Sequence, residues 1–427
     1  LSERRALTVA LLGGGTVGSQ VARLLTENAG DLAARVGASL ELSGVAVRTP
    51  GKARAGVPAD LLTTDIRGLA ASGADLVVEL VGGVDLAHDL VTAALRAGSS
   101  VVTANKALIA QHGAELHLLA AEQGVDLYYE AAVAGAIPLL RPLSSSLAGD
   151  RVRRVLGIVN GTTNYILTRM DEEGADFWSV LADAQALGYA EADPTADVGG
   201  HDAAAKAAIL AGLAFHTSVT AADVSCEGIT HVTADDVAAA REMGYVIKLL
   251  AIAEELAHGV VVRVHPTMVP RTHPLASVRE AFNAVFVTAD SAGEIMFYGR
   301  GAGGTPTASA VLGDLVTAAR HRVAGVVGPT KSSYAELPVL PVTEATTAYY
   351  LNLHVADRPG VLATVASLFA EHGVSIAGVR QEGTGEEAAL IVRTHPAREA
   401  AHRATVEALR GEPAVRAIAG LMRVEGA

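Results

Sequence analysis

Ala6-Leu7-Thr8-Val9-Ala10-Leu11-Leu12-Gly13-Gly14-Gly15-Thr16-Val17-Gly18 is the stretch that decides the fold. Residues 6–12 form a short apolar run suited to a strand buried on both faces, as in a parallel sheet. Gly13 to Gly18 reads G-x-G-x-x-G, and Ser19 to Thr26 then carries Val21, Leu24 and Leu25 at helical spacing. Strand, glycine turn and helix together turn a common glycine pattern into a dinucleotide signature. Gly13 permits the tight turn, and Gly15 lets backbone approach a pyrophosphate. Gly18 lets the helix lie close on the strand, with the helix N-terminus and Thr16–Val17 facing the phosphates.

Outward from that turn, strand candidates at Leu40 to Val47, Asp75 to Val81, Ser100 to Thr103 and Val125 to Tyr129 alternate with helices at Leu86 to Ala97 and Gly113 to Gln123. The alternation predicts a doubly wound α/β sheet over residues 1–130. NAD-selective folds often place an acid after the second strand. This chain has Arg48, Lys52 and Arg54, which suit a 2′-phosphate and favour NADP(H), with NAD(H) open and a solvated basic loop as the plain alternative. Gly82, Thr103 and the loop residue Lys106 lie at strand carboxyl ends, where open α/β sheets bind ligands. Glu130 to Pro138 sets small residues around an acid. It reads either as a domain crossover or as carbonyls gathered round a hard cation.

Gly188 to Lys206 is a second informative stretch, carrying Glu191, Asp193, Asp197 and Asp202 before Lys206. Pro194 and Gly199-Gly200 break it, and a helix is predicted from His201 to about Phe215. Asp202 and Lys206 then share a helix face, which in isolation is an ordinary ion pair. Beside a nucleotide signature, the acids suit a substrate ammonium and the lysine suits proton transfer to an oxygen.

Asn160 to Asn164 is predicted to start a helix reaching Glu173, and Trp178 to Ala186 another. Strands are predicted near 227–232, 260–269 and 282–288, and Val237 to His258, with Lys248, reads as a helix. His265 and His273 precede prolines and read as loop residues, and no histidine spacing is that of a metal site. Gly299 to Ala310 is a glycine turn entering a helix to about Arg320, either a plain interdomain turn or a return to the dinucleotide. Residues 131–320 make a substrate and dimerisation domain, and 321–347, with three prolines, a linker. Residues 348–427 follow the order βαββαβ, a ferredoxin-like arrangement, with a turn at Asp357-Arg358-Pro359-Gly360.

Composition narrows the function. A net charge of −13 disfavours nucleic acid and anionic membranes as partners, and no apolar run is long enough to span a bilayer. The start leaves no room for a signal peptide, and the lone Cys226 fits a reducing cytoplasm. Strands from two subunits would complete a sheet, so a homodimer or homotetramer is expected.

Several motifs together resemble homoserine dehydrogenase over nearly the whole chain: the first glycine loop, Thr103 to Leu108, Glu130 to Pro138, Asn160 to Leu167, Leu187 to Pro194, Asp197 to Lys206 and Gly301 to Ala310. The tail resembles an ACT domain. The resemblance implies a monofunctional enzyme that reduces aspartate semialdehyde to homoserine with NAD(P)H, with feedback through the tail by an amino acid such as threonine. By position, Lys206 matches the proton donor and acceptor, Lys106 a second catalytic or cofactor lysine, and Glu191 and Asp202 substrate-binding acids, with Asp197 beside them. Gly188 and Gly303 match cofactor contacts. Glu130, Val133, Gly135 and Ile137 match a sodium-type site, and Asp357 and Gly360 an effector turn. A phosphorylating semialdehyde dehydrogenase needs a nucleophilic cysteine, and Cys226 lies in no activating motif. A non-catalytic amino-acid sensor is the remaining rival, and the two lysines argue against it.

Overall fold

The computed structural model describes residues 6–49, 56–328, 335–383 and 388–426. Lys52 and Arg54 of the basic loop lie outside the described residues. The chain divides into two units, one of residues 1–155, 205–223 and 282–337, the other of residues 156–204, 224–281 and 338–427.

The first unit is built on a six-stranded sheet in the order Leu62–Thr63, Leu40–Ala46, Leu7–Leu12, Leu76–Glu79, Ser100–Thr103, Leu127–Tyr128. Every neighbouring pair is parallel, and Leu7 stands opposite Leu40. The apolar runs explain this arrangement, since Val9, Leu11, Leu76 and Val78 are fully buried. Helix Thr16–Glu27 packs Val21, Ala22 and Leu25 into the same core as Ala308, Val311, Leu315 and Ala318 of helix Gly304–Ala324. A segment about three hundred residues downstream therefore completes the nucleotide-binding layer, and its small residues allow close approach. The long insertion before the second strand folds as helix Ala29–Val36, ended by Gly37 in the left-handed region. Phe282–Ala289, the strand expected at 282–288, forms an antiparallel hairpin with a further strand, Gly293–Arg300, in the same unit.

In the second unit, helices Gly161–Glu173 and Phe177–Ala186 precede the acidic loop. Tyr245–Leu256 and Gly259–Pro270 form a long antiparallel hairpin. This corrects the helix expected over Val237 to His258: the helix covers only Ala234–Glu242, closed at its start by a Thr233–Asp236 capping box. Tyr245 to Ala253 is a continuous buried run, and periodicity does not separate such a run from a buried helix. His265 is likewise corrected from loop to strand interior, and residues 227–232, expected as a strand, are loop and turn, with a two-residue strand Ser225–Cys226 just before them. His273 does cap a short turn, its Nδ1 accepting from Leu275 N at 3.1 Å.

The tail folds as βαββαβ, with sheet order Val415–Val424, Thr346–Val355, Ala389–Thr394, Ile376–Glu382 and helices Val361–Glu371 and Glu399–Gly411. Its core includes Leu351, Leu353, Val365, Phe369, Leu390 and Leu409. The hairpin strand Gly259–Pro270 continues this sheet by parallel pairing of Thr267 with Arg423 and Met268 with Val424. Buried Arg263 fastens the junction, its guanidinium reaching Glu254 at 2.6 Å and Glu425 at 2.9 Å. Helix Gly304–Ala324 extends into the stretch read as linker, and the tail's first strand begins at Thr346.

Candidate active site

Gly13 and Gly18 of the first loop have no room for a side chain. A Cβ on Gly13, at φ +117°, would lie 2.8 Å from the Leu80 carbonyl oxygen, and one on Gly18 would overlap the Gly13 carbonyl. A Cβ on Gly15 would meet nothing within 4 Å, so this backbone faces open space. Gly15 borders two clefts. One, of about 690 Å³, is lined by Ala46, Arg48, Thr49, Ile66 and Leu86. The other, of about 450 Å³, is lined by Thr16, Val17, Gly82, Gly83, Asn105 and Lys106. A dinucleotide needs such a pair of compartments on either side of its pyrophosphate. The second glycine turn reaches the first: a Cβ on Gly304 would touch Thr16 Cγ2 at 3.0 Å, and Gly303, at φ +124°, caps the helix.

The floor of the second cleft rests on a residue that sequence reasoning passed over. Glu79 is fully buried at the end of its strand. It accepts from Val81 N at 2.7 Å and from Thr103 Oγ1 at 2.5 Å, and burial pushes its pKa up. Thr103 is itself buried, its hydroxyl accepting from Asn105 N at 3.0 Å. Asn105 donates to Gly83 O and caps the next helix through Leu108 N. Lys106 is therefore the first residue of helix Lys106–Gln123, not a loop residue, and its position is fixed by that cap.

In the second unit the four acids of Gly188 to Lys206 separate by role. Asp193 is spent on its own turn, accepting from Thr195 N at 3.1 Å and Thr195 Oγ1 at 2.6 Å, which holds its carboxyl below the usual range. Glu191 is exposed, and its backbone carbonyl accepts from Gln185 Nε2 at 3.0 Å. Gly188, at φ +77°, turns the chain into this loop. Asp197 and Asp202 are brought together by one side chain: Asn160 Nδ2 donates to Asp197 Oδ1 at 2.7 Å and to Asp202 Oδ2 at 2.9 Å. Asn160 is buried, and its Oδ1 caps helix Gly161–Glu173 by accepting from Thr163 N at 2.8 Å. Thr162 adds a hydroxyl to Tyr189 O at 2.7 Å. The amide thus offsets repulsion between two neighbouring carboxylates through two charge-assisted hydrogen bonds. The sequence signal was present, since an Asn before Gly-Thr-Thr is a helix cap, but nothing in it tied that cap to acids some forty residues on.

Asn164, one turn later, accepts from Lys248 Nζ at 2.9 Å and donates to the Glu280 carbonyl at 2.8 Å. Lys248 also donates to Val278 O at 2.6 Å, and burial lowers its pKa to about 8. Lys206 lies one turn beyond Asp202 in helix His201–Ala214 and is half-buried. Cys226 donates to Gly199 O at 3.3 Å, and desolvation and Glu227 push its pKa up, which disfavours a thiolate nucleophile.

Glu130 is buried in the first unit. Its carboxylate accepts from Leu139 N and Leu140 N at 2.5 and 2.7 Å and from Arg141 N at 3.0 Å. Its own N–H donates to Asp314 at 2.8 Å, and burial raises Asp314 to about 7. Val133, Gly135 and Ile137 lie on a tight loop in which Ala134 and Gly135 have φ near +58° and +54°. With the carboxylate so committed, the donors this loop offers a cation are backbone carbonyls, the hard oxygens such ions take. In the tail, Gly360 has φ +94° at the start of its helix, and Asp357 is exposed beside it.

The matching family descriptions are "Homoserine dehydrogenase, NAD binding domain" over residues 13–130, "Homoserine dehydrogenase" over 138–316 and "ACT domain" over 349–412. A homoserine dehydrogenase of Corynebacterium glutamicum is 55% identical over 426 residues, 98% of this chain and 96% of that protein. The crystal structure of a homoserine dehydrogenase from Thiobacillus denitrificans matches with a TM-score of 0.92 at 39% identity, covering 100% of this chain and 99% of that one. A hyperthermophilic archaeal homoserine dehydrogenase solved in complex with NADPH matches with a TM-score of 0.64 at 25% identity, covering 77% of this chain and 100% of that one. With all three regions matched and relatives of this similarity, the chain belongs to the homoserine dehydrogenase family.

Proposed function

We propose that the chain interconverts L-aspartate 4-semialdehyde and L-homoserine with NADP(H) preferred over NAD(H), under feedback from an amino acid at the ACT domain. The observation that carries this reading is the Asn160-bridged pair Asp197–Asp202, of which Asp202 is one helical turn before Lys206. When bound, a nicotinamide cofactor would supply or accept the hydride exchanged at the substrate's terminal carbon. Gly13, Gly15, Gly18 and the helix start at Thr16 would hold its pyrophosphate and Arg48 its 2′-phosphate, with Gly82 and Lys106 in the adjoining cleft toward its nicotinamide.

Lys206 hands a proton to the aldehyde oxygen in reduction and takes it back in oxidation. Glu191, Asp197 and Asp202 bind the substrate ammonium. Two carboxylates held close by one amide suit a cationic group such as the substrate ammonium. Gly188 and Gly303 contribute backbone approach to the cofactor. A sodium-type ion is assigned to the carbonyls of Glu130, Val133, Gly135 and Ile137. Threonine is the proposed effector, at the Asp357–Gly360 turn. The working form is a homodimer or homotetramer in the cytoplasm. The described residues include no helix long and apolar enough to cross a membrane.

The test is NADPH oxidation by purified protein with aspartate semialdehyde, with and without threonine, and with NADH in parallel. Turnover that threonine suppresses supports both parts of the proposal. Turnover indifferent to threonine removes threonine as effector. No turnover with either nucleotide overturns the catalytic reading. Lys206→Ala should lose about 10²–10⁴-fold in kcat, the usual scale of general acid–base help, and near-normal turnover would remove that role.

A further inference from the structure

The structure assigns His88, His112 and Glu115 to a transition-metal site on the outer face of the first unit. His88 is on helix Asp85–Arg96, and His112 and Glu115 are one turn apart on helix Lys106–Gln123. One ligand atom from each residue lies within 4.8 Å of the other two. The Glu115 carboxylate sits between two imidazoles, with Oε1 3.4 Å from His88 Nε2 and Oε2 3.6 Å from His112 Nδ1.

These separations are too long for good N–H···O hydrogen bonds, which cluster at about 2.7–3.2 Å. They are near the spacing of ligands on one metal ion, although they end on different oxygens of the Glu115 carboxylate. Ligands at about 2.0–2.1 Å from a tetrahedral ion are about 3.4 Å apart. His88 Nε2 is buried and makes no hydrogen bond, its nearest charged neighbour being Glu115 Oε1, so its lone pair is open to an ion placed between the two. The imidazole rings are 4.5 Å apart between centroids, which keeps both within reach of one ion.

Two imidazoles and one carboxylate suit a divalent first-row ion such as Zn²⁺, and disfavour Mg²⁺ or Ca²⁺, which take oxygen ligands. The three protein ligands leave room for a water in the fourth position. The spacing escaped sequence reading because His88 and His112 belong to different helices. An ion here ties together the two helices whose starts lie beside Gly82, Gly83 and Lys106 of the cofactor cleft.

The experiment is equilibrium dialysis of the metal-free full chain against Zn²⁺. Single variants His88→Ala, His112→Ala and Glu115→Gln, the double histidine variant and Cys226→Ser are run beside wild type. The expected result is one Zn²⁺ per chain, at least tenfold weaker in each single variant of the triad, absent in the double variant and unchanged in Cys226→Ser. Circular dichroism and NADPH binding in the absence of zinc check that each variant is folded. Absence of saturable binding in wild type overturns the proposal, as does stoichiometric binding that survives in a folded double variant or is lost in Cys226→Ser.

Discussion

Asn160→Asp is the substitution that isolates the bridge between the two acids. Aspartate caps a helix about as well as asparagine, so the contact to Thr163 N is kept. What changes is the atom facing Asp197 and Asp202, now 2.7 and 2.9 Å from an amide donor. Each lost bond to a charged group is worth about 1.5–3 kcal/mol. In its place a third carboxylate would stand at about 3 Å, with a repulsion of roughly 5 kcal/mol per contact at an effective dielectric of about 20. The site escapes most of that by binding a proton, which leaves one acid neutral. A net loss of about 3 kcal/mol in transition-state binding corresponds to roughly 10²-fold in kcat/KM for homoserine. The sign with pH is distinctive: as pH falls, the introduced carboxyl takes up a proton and donates again, so the ratio of variant to wild-type kcat/KM rises. Steady-state kinetics across pH, alongside Asn160→Ala, measures this. The alanine variant loses cap and bridge together, costs about 0.5–2 kcal/mol of stability, and has no group to reprotonate. The reasoning is refuted if Asn160→Asp stays within threefold of wild type, or if its loss is the same at every pH.

Lys248 gives a stability prediction: its folded pKa is about 8 against an ordinary 10.5, so between those pH values the unfolded chain binds more protons and folded stability rises with pH. The swing is up to about 3 kcal/mol, and the stability gap between wild type and Lys248→Met should shift in favour of wild type from pH 7.5 to 10; a constant gap in urea unfolding contradicts it. Arg423 reaches Glu399 at 2.8 Å and Glu227 at 2.7 Å, and Glu399 is buried. Arg423→Met should therefore cost the tail about 3–5 kcal/mol, read as lost hydrogen-exchange protection in Val415–Val424 and Thr346–Val355; unchanged protection would show that the pair is dispensable. Gly15→Ala should leave the melting temperature unchanged, since its Cβ meets nothing, yet raise the NADPH Kd at least tenfold by blocking phosphate approach; unaltered NADPH binding would refute the pyrophosphate contact. Arg48→Ala should weaken NADPH at least tenfold while sparing NADH, and an equal effect on both would remove Arg48 from the 2′-phosphate.

What was legible in the sequence is what local chemistry decides. The strand–glycine–helix start at Leu7 to Thr26 was readable because only glycine tolerates φ +117° at position 13 and the close approach at position 18. The βαββαβ tail was readable because short alternating runs and turn residues punctuate it. What escaped depends on partners distant in sequence. Tyr245 to Leu256 forms a strand because Gly259–Pro270 pairs with it along its length, and Lys248 sits inside it because Asn164 Oδ1 and the Val278 carbonyl accept its hydrogen bonds. Glu79 looks like one acid in an apolar strand until Thr103 and Asn105 close over it. The acidic stretch shows the same division most clearly. Sequence marks Glu191, Asp193, Asp197 and Asp202 as one cluster, and folding sorts them, spending Asp193 on its own turn and joining Asp197 to Asp202 through an asparagine far upstream. Residue type thus indicates which chemistry a stretch can support, and which of several equivalent carboxylates is positioned for it is settled by hydrogen bonds that only the tertiary fold creates.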